Sequence, residues 1–326
     1  MDRPKGKQTD IGAIIDRAMG DIESENQSLK GKLDKRFGRT ELQAGKLGEL
    51  IDLISTIGFS DDQNSGDMLG EVYEYFLGQF ATAEGKKGGQ FYTPRHVVKT
   101  LVAVLSPHKG RVYDPCCGSG GMFVQSEEFI ESHGGRRDDI SIYGQESNPT
   151  TWRLAAMNLA IRGFAADLGK EPADTFAKDQ HPDTKFDYIL ANPPFVPSPE
   201  QSLKFRDGGA SGENVLRAII EEAWQYLSPE GRLCIVTDLV DVQSYEAKLK
   251  SWLGEADACA LILTTADRDE ILFSVPHCHA PFSQSLAEYN DELDRWVANF
   301  RSADLNAVNF GYILAWKSEA ASGCDI

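Results

Sequence analysis

Hydrophobic residues along this chain fall into two kinds of spacing. From residue 96 onward, short continuous runs of branched and aromatic residues alternate with longer stretches in which apolar positions recur every three or four residues. Runs of the first kind suit strands buried on both faces, and the second kind suits helices with one apolar stripe. Predicted strands are RVYDPCC (111–117), ISIYGQE (140–146), DYILANPPF (187–195), RLCIVTDLV (232–240), ACALILTT (258–265) and VNFGYILAWK (308–317). Predicted helices cover His96 to Leu105 and then 121–133, 150–163, 214–227 and 244–254. Strands alternating with helices imply a parallel, doubly wound α/β sheet. One excursion, Asp267 to Asn306, breaks the alternation and reads as an insertion carrying a helix around LAEYNDELDRWVANF.

The earlier part of the chain has helical spacing only. Residues 1–60 predict two or three helices interrupted by the basic segment KGKLDKRFGR. Residues 65–85 predict a stronger helix, with Leu69, Val72, Tyr73, Phe76 and Phe80 as its apolar stripe. The organisation expected is therefore a helical amino-terminal region over 1–85 and an α/β domain over 86–326 that contains the insertion at 267–306.

The third predicted strand ends abruptly. Asp187 to Ala191 is apolar, and prolines at 193 and 194 then stop it, because proline offers no N–H to a sheet ladder and forces the preceding residue into an extended backbone. Asn192, its neighbouring carbonyls and the Phe195 ring are thus presented together at the carboxyl end of a strand, where open α/β sheets bind ligands. The same four residues would also serve as a plain turn.

Composition narrows the classes. A chain of 326 residues supports a sizeable core. Six scattered cysteines, the absence of an apolar leader in MDRPKGKQTD and the lack of any run near the ~18 apolar residues of a membrane span predict a soluble cytoplasmic protein without a disulfide framework. Net charge is −17, with 23 basic and 29 acidic residues over 1–195 against 10 and 21 over 196–326. An acidic surface of this kind repels a phosphate backbone, so a nucleic-acid substrate would need a basic partner or a local positive patch.

Candidate chemistry lies at two further strand ends. In VYDPCCGSGGMF, Gly118, Gly120 and Gly121 allow positive φ and close approach of a ligand to bare backbone, ahead of a helix start with free N–H groups. The loop lacks the Lys-Ser/Thr of a phosphate cradle, and Asp114 before it suits a cationic ligand better than pyrophosphate. Glu146 ends the next strand, where a carboxylate can accept both hydroxyls of a ribose. A nucleoside with a positive charge and no phosphates meets these terms, and S-adenosylmethionine is such a ligand.

DPCCGSGGMF, YGQESNPTTWRLAAMNLAIRG and ILANPPF, preceded by GQFYTPR, resemble the modification subunit of type I restriction systems, a family of adenine-N6 DNA methyltransferases, over about residues 64–195. The resemblance implies a class I, Rossmann-like fold with a mostly parallel seven-stranded sheet and S-adenosylmethionine as cofactor. It implies that Gln90, Phe91, Tyr92, Thr93, Pro94 and Arg95 line the cofactor together with Asp114, Cys116, Cys117, Gly118 and Gly120. Glu146 would hold the ribose and Asp174 in ADTF would meet the adenine. Asn192, Pro193, Pro194 and Phe195 match the catalytic tetrapeptide, in which the Asn oxygen and a proline carbonyl each take a hydrogen from the target amino group while the aromatic ring stacks on a flipped base. DNA as substrate and a separate, basic specificity subunit follow as expected partners. No metal is expected.

Past Phe195 the sequence looks more like other class I methyltransferases that act on small substrates or RNA. Two alternatives therefore stand beside adenine methylation: transfer to another amino or amide nitrogen, in an RNA base or a protein glutamine, and a non-catalytic cofactor-binding scaffold. Three features are read as structural. The adjacent Cys116 and Cys117 and the VPHCHAP segment (275–281) lack a second ligand pair for a metal, and Asp238 and Asp241 read as solvated loop carboxylates at the edge of the site.

Overall fold

The computed structural model describes residues 10–39, 44–55, 65–83, 93–200, 203, 205–254, 257–278 and 285–317. Seven strands form one sheet: β1 (Gly110–Asp114), β2 (Ile140–Gly144), β3 (Ala166–Asp167), β4 (Phe186–Ala191), β5 (Leu227–Val240), β6 (Ala258–Arg268) and β7 (Val308–Lys317). Their spatial order is β3-β2-β1-β4-β5-β7-β6. Pairing is parallel from β3 through β5, and β7 lies antiparallel between β5 and β6. This is the mostly parallel, doubly wound α/β fold, and the reversal in strand order falls between β1 and β4, where the candidate loops meet.

Helices among the described residues are α1 (Ile11–Glu25), α2 (Ala44–Ser55), α3 (Ser65–Ala83), α4 (Arg95–Leu105), α5 (Gly121–Ser132), α6 (Pro149–Ile161), α7 (Asn214–Tyr226), α8 (Tyr245–Leu253), α9 (Glu270–His277) and α10 (Leu286–Ser302). Helices α4, α5 and α6 cover one face through Leu101, Phe123 and Leu159, packed on Val112, Ile142 and Cys234. Helices α7 and α8 cover the other through Leu216, Ile220 and Tyr245, packed on Ile189, Leu233 and Ile235. The alternation along β5, with Leu233 and Ile235 on one face and Cys234 and Val236 on the other, is the two-residue period of a strand. Each fully buried large side chain here is worth about 2–5 kcal/mol against alanine.

The insertion builds a third small core. Phe273 of α9 and Trp296 and Phe300 of α10 pack with Val196 and Val240, and Phe195 lies against them half-buried. The insertion thus props the carboxyl end of β4. Helix α9, with Pro276 inside it, and the two-residue strand β3 have no counterpart in the sequence-based elements. A two-residue strand shows no alternation, and an eight-residue apolar helix shows too few turns for a stripe.

Helix α3 packs differently from expectation. Its inward face is Gly70, Tyr73, Glu74 and Leu77: the Tyr73 hydroxyl donates to the Leu154 carbonyl at 3.0 Å, Glu74 pairs with Arg162 at 3.0 Å, and a side chain at Gly70 would strike that guanidinium. Leu69 and Phe76, expected inside, are exposed. The helix turns its polar Glu74 inward because buried Arg162 on the neighbouring element needs a counter-charge. In the basic segment, Lys35 pairs with Glu23, Arg36 pairs with Asp34, and the Lys32 ammonium sits 4.8 Å from the Trp152 ring centroid. Among the described residues no helix is long and apolar enough to cross a membrane.

Candidate active site

Strands β1 and β2 run in register, with Asp114 opposite Gly144, so the groups that follow them emerge side by side. Pairing continues past both strands: the Gln145 N–H donates to the Asp114 carbonyl at 3.1 Å, and the Cys117 N–H donates to the Gln145 carbonyl at 2.9 Å. The glycine turn is therefore pinned onto the end of β2. Gly118 adopts φ +54°, and a Cβ there would meet nothing within 4 Å. The residue is glycine for its backbone, and the space beside it is open. Gly120, at φ +80°, leads into α5.

Two carboxylates frame this turn. Asp114 is buried and accepts the Cys116 N–H at 2.9 Å; burial pushes its carboxyl up to about 7, and among the described residues no cation pairs with it. Glu146 accepts from the Gly118 N–H at 3.1 Å and the Asn148 N–H at 2.7 Å, and burial raises its carboxyl against those hydrogen bonds. Asn148 in turn caps α6 by accepting from Thr150 and Thr151 ahead of Pro149. Glu146 thus ties the glycine turn to the start of α6 and retains further acceptor capacity.

The Asp174 segment docks on the same edge. The Ala173 N–H donates to the Glu146 carbonyl at 3.0 Å, and the Thr175 hydroxyl donates to the Pro115 carbonyl at 2.6 Å. Asp174 caps the Phe176 N–H at 3.0 Å, its carboxylate is exposed, and so is the Phe176 ring beside it.

Asn192 follows β4 and is half-buried, with Pro193 buried behind it. Its amide Nδ2 donates to the Thr93 hydroxyl at 2.9 Å. The Cys116 thiol lies between the Asp114 carboxylate and the Asn192 main chain. Burial, and then the Asp114 charge, push the thiols of Cys116 and Cys117 well up, so both are neutral packing groups.

Of the expected cofactor residues, Gln90, Phe91 and Tyr92 lie outside the described residues. Pro94 stands at the start of α4 and is exposed. Arg95 turns its guanidinium onto Glu128 of α5 at 2.8 Å, which answers its charge; it lines a small cavity with Glu74, Thr93, Ser119, Gly121 and Gln125, and its buried Nε has no partner among the described residues. The Gln125 amide Nε2 is a second buried donor on this cavity without a partner among the described residues. Two such donors beside the start of α5 can serve the carboxylate of an amino-acid moiety, as carried by S-adenosylmethionine, with the Glu74 carboxylate on the same lining held by Arg162. Gln125 and Ser119 escaped the sequence reading, although Gln125 lies one helical turn past Gly121 and so on its face.

The remaining candidates resolve differently. Asp238 is buried and ion-paired with Arg268, not solvated, while Asp241 accepts the N–H groups of Asn306 and Ala307 at 2.9 and 3.0 Å. His277 hydrogen-bonds the Phe273 carbonyl at 2.6 Å and stacks on Trp296, and the Cys278 thiol donates to the Ser274 carbonyl at 3.4 Å. Among the described residues no group of three or more His, Cys, Asp or Glu could hold a metal ion.

Comparison with known proteins gives the family of the chain. Residues 64–267 match the model of the family described as N-6 DNA Methylase, so residues 196–267 of the stretch that reads as divergent lie inside the family's extent. A type I restriction enzyme HindI methylase subunit from Haemophilus influenzae is 43% identical over 245 residues, covering 71% of this chain and 55% of that one. The MjaIX methylase subunit from Methanocaldococcus jannaschii is 42% identical over 186 residues, covering 57% of this chain and 33% of that one. The chain therefore spans about a third to about half the length of these two relatives. In fold, it resembles a type I restriction-modification methyltransferase subunit from Streptococcus thermophilus (TM-score 0.59, 21% identity, 93% of this chain and 61% of that one). A class I S-adenosylmethionine-dependent methyltransferase from Listeria monocytogenes is similar in fold too (TM-score 0.52, 15% identity, 96% and 87%). With the family model matched across the glycine turn, Glu146, the Asn192 turn and most of the sheet, this chain belongs to the N-6 DNA methylase family.

Proposed function

We propose that this chain is the catalytic core of an adenine-N6 DNA methyltransferase of the type I modification-subunit kind. The observation that carries the reading is the Asn192 turn: an amide held by Thr93 through its NH₂ end, at the carboxyl end of β4 and beside the glycine turn. Adenine's amino nitrogen is a poor nucleophile because its lone pair is delocalised into the ring. The Asn192 oxygen and the Pro193 carbonyl can each accept one amino hydrogen, which localises that pair as positive charge grows on nitrogen. Preorganised dipoles of this kind stabilise the transition state, and one such contact is worth about 2.7–4 kcal/mol by analogy with an oxyanion-hole donor. Phe195, propped by the insertion core, offers a face for a base turned out of the duplex.

S-adenosylmethionine, when bound, supplies the electrophilic methyl group. For this chain's residues we assign Glu146 to the ribose hydroxyls, Asp174 and the exposed Phe176 ring to the adenine, and the backbone at Cys116, Cys117, Gly118 and Gly120 to the rim of the pocket. Thr93, Gln125 and Arg95 Nε supply donors for the carboxylate, and Asp114 favours the cationic end. The α/β unit over 86–326 would be the catalytic domain, with 1–85 as a helical region leaning on it through α3.

A net charge of −17, and basic side chains at Lys35 and Arg36 already paired within the chain, support a separate basic subunit that holds the duplex. The test is incubation of the protein with radiolabelled cofactor and separate pools of DNA, RNA and protein. Label in N6-methyladenine of DNA, with or without a DNA-recognition subunit, is expected. Label in RNA or protein alone would replace the reading with one of the other planar-nitrogen substrates, and cofactor binding without any label would make the chain a scaffold.

A further inference from the structure

We infer that Glu74, carried on α3 by the amino-terminal region, takes the α-ammonium group of the cofactor's amino-acid end. The inference rests on the reading above that sets the carboxylate of that end at Thr93, Gln125 and the Arg95 Nε. An amino-acid end is a zwitterion, so a cavity that serves its carboxylate with donors must also meet an ammonium group, which only donates. Among the described residues lining this cavity, Glu74 is the one acidic side chain, and Asp114 is not on the lining.

Glu74 stands there because α3 is docked on α6 and on Arg162, the residue that follows it. A Cβ on Gly70 would lie 2.6 Å from the Arg162 guanidinium carbon, the Tyr73 hydroxyl donates to the Leu154 carbonyl at 3.0 Å, and Glu74 Oε1 accepts from Arg162 at 3.0 Å. Arg162 in turn donates to the Asn158 side-chain oxygen, and the Asn158 amide donates to the Ser119 carbonyl of the glycine turn at 2.8 Å. A buried polar chain therefore runs from the amino-terminal helix to the turn. It fixes Glu74 relative to Ser119, Gly121 and Gln125, which share the lining.

Arg162 engages one carboxylate oxygen of Glu74, and among the described residues nothing donates to the other. A carboxylate has acceptor capacity for both. Burial raises the Glu74 carboxyl even with Arg162 beside it, so one cation does not fully answer the buried charge. An ammonium group on the second oxygen supplies the rest. The amino-terminal region then completes the cofactor site instead of merely leaning on the α/β unit.

Calorimetry on the full chain with three adenosine ligands tests this. S-adenosylhomocysteine carries both the ammonium and the carboxylate, its deaminated analogue keeps only the carboxylate, and methylthioadenosine has neither. Glu74→Gln should weaken S-adenosylhomocysteine about tenfold, the low end for a hydrogen bond to a charged group, and change the other two by less than about twofold. That variant leaves Arg162 without its counter-charge and can fold poorly; Glu74→Gln combined with Arg162→Met removes both charges and should give the same pattern. Equal weakening of S-adenosylhomocysteine and its deaminated analogue, or no weakening of either, would overturn the inference.

Gln125→Leu separates that outcome from failure of the underlying reading. It should weaken both carboxylate-bearing ligands and spare methylthioadenosine. If it does so while Glu74→Gln treats the two alike, the carboxylate stays where it was placed and only the role of Glu74 falls. If Gln125→Leu spares every ligand, the placement of the amino-acid end falls and takes the inference with it.

Discussion

Two stretches of the sheet's carboxyl edge carry acidic residues in similar places and use them in opposite ways. Around the end of β5, three carboxylates are closed by partners: Asp238 within the strand by Arg268, Glu213 at the start of α7 by Lys248 at 2.8 Å, and Asp241 by the main-chain N–H groups of Asn306 and Ala307. After β1 and β2, Asp114 and Glu146 accept main-chain N–H groups, and among the described residues no cation pairs with them. A carboxylate at a strand end is therefore not a site in itself. What marks the β1–β4 side, among the described residues, is charge left without a counter-charge beside open backbone, and unpartnered donors at Gln125 and Arg95 on the cavity at the start of α5. A cationic nucleoside supplies what is missing there. On the β5 side these three carboxylates already have their partners.

The largest effect should separate chemistry from binding on the open side. Asn192→Ala should lower methyl transfer by at least ~10² while cofactor affinity stays near wild type, whereas Asn192→Asp keeps an acceptor and some activity. Filter assays with labelled cofactor, paired with calorimetry, read both. Full activity in the alanine variant would make the turn structural and erase the contrast between the two sides.

The closed side should answer in stability instead. Arg268→Met leaves Asp238 buried without its partner, and we expect a loss of about 2 kcal/mol in urea unfolding at pH 8, below the ~3–5 of a fully buried pair because Arg268 is partly exposed. Burial holds the Asp238 carboxyl up at about 6 even with Arg268 beside it, so the variant should recover stability in acid as the carboxyl takes a proton. Cofactor affinity should not move. If it does, the two sides are coupled and the division fails.

Glu146→Ala comes next, with an expected loss of about 1–3 kcal/mol in cofactor binding from the absent ribose acceptor and the two N–H groups it leaves unpaired. Unchanged affinity in this variant would move the ligand elsewhere on the edge.

A smaller effect should appear with pH. Asp114 titrates at about 7 in the folded chain against an ordinary 3.8, so the native state holds this proton more tightly than the unfolded chain does. Its contribution to stability is therefore full below 3.8, declines as pH rises to about 7 and then levels off. Affinity for a cationic ligand should run the other way and strengthen as the carboxylate forms over roughly pH 6 to 8. Calorimetry across that range should show the rise in wild type and a flatter profile in Asp114→Asn; parallel profiles would assign the titration to another group. Weakest of all should be duplex binding by the isolated chain, below the usual ~10⁻⁴ to 10⁻⁶ M non-specific range at physiological salt. A gel shift at micromolar protein would contradict it.

Much of this was legible along the chain for a local reason. The stop after Ala191 was readable because proline forbids a ladder bond at its own position, and the glycine turn because positive φ belongs to Gly118 itself. Strand and helix order followed from periodicity, which is a property of neighbours. By themselves, the residues determined which elements form, where they stop and which groups stand at their ends.

Tertiary structure decided which of those groups remain free. Nothing near Asp238 in sequence announces Arg268, which reaches it from β6, and nothing near Asn192 announces Thr93. The inward face of α3 was set by the charge of Arg162 rather than by its own apolar stripe, and the antiparallel run of β7 by the place its strand takes between β5 and β6. Periodicity encodes burial one element at a time. A buried charge or an unpaired amide is settled only when a distant element arrives with, or without, its partner.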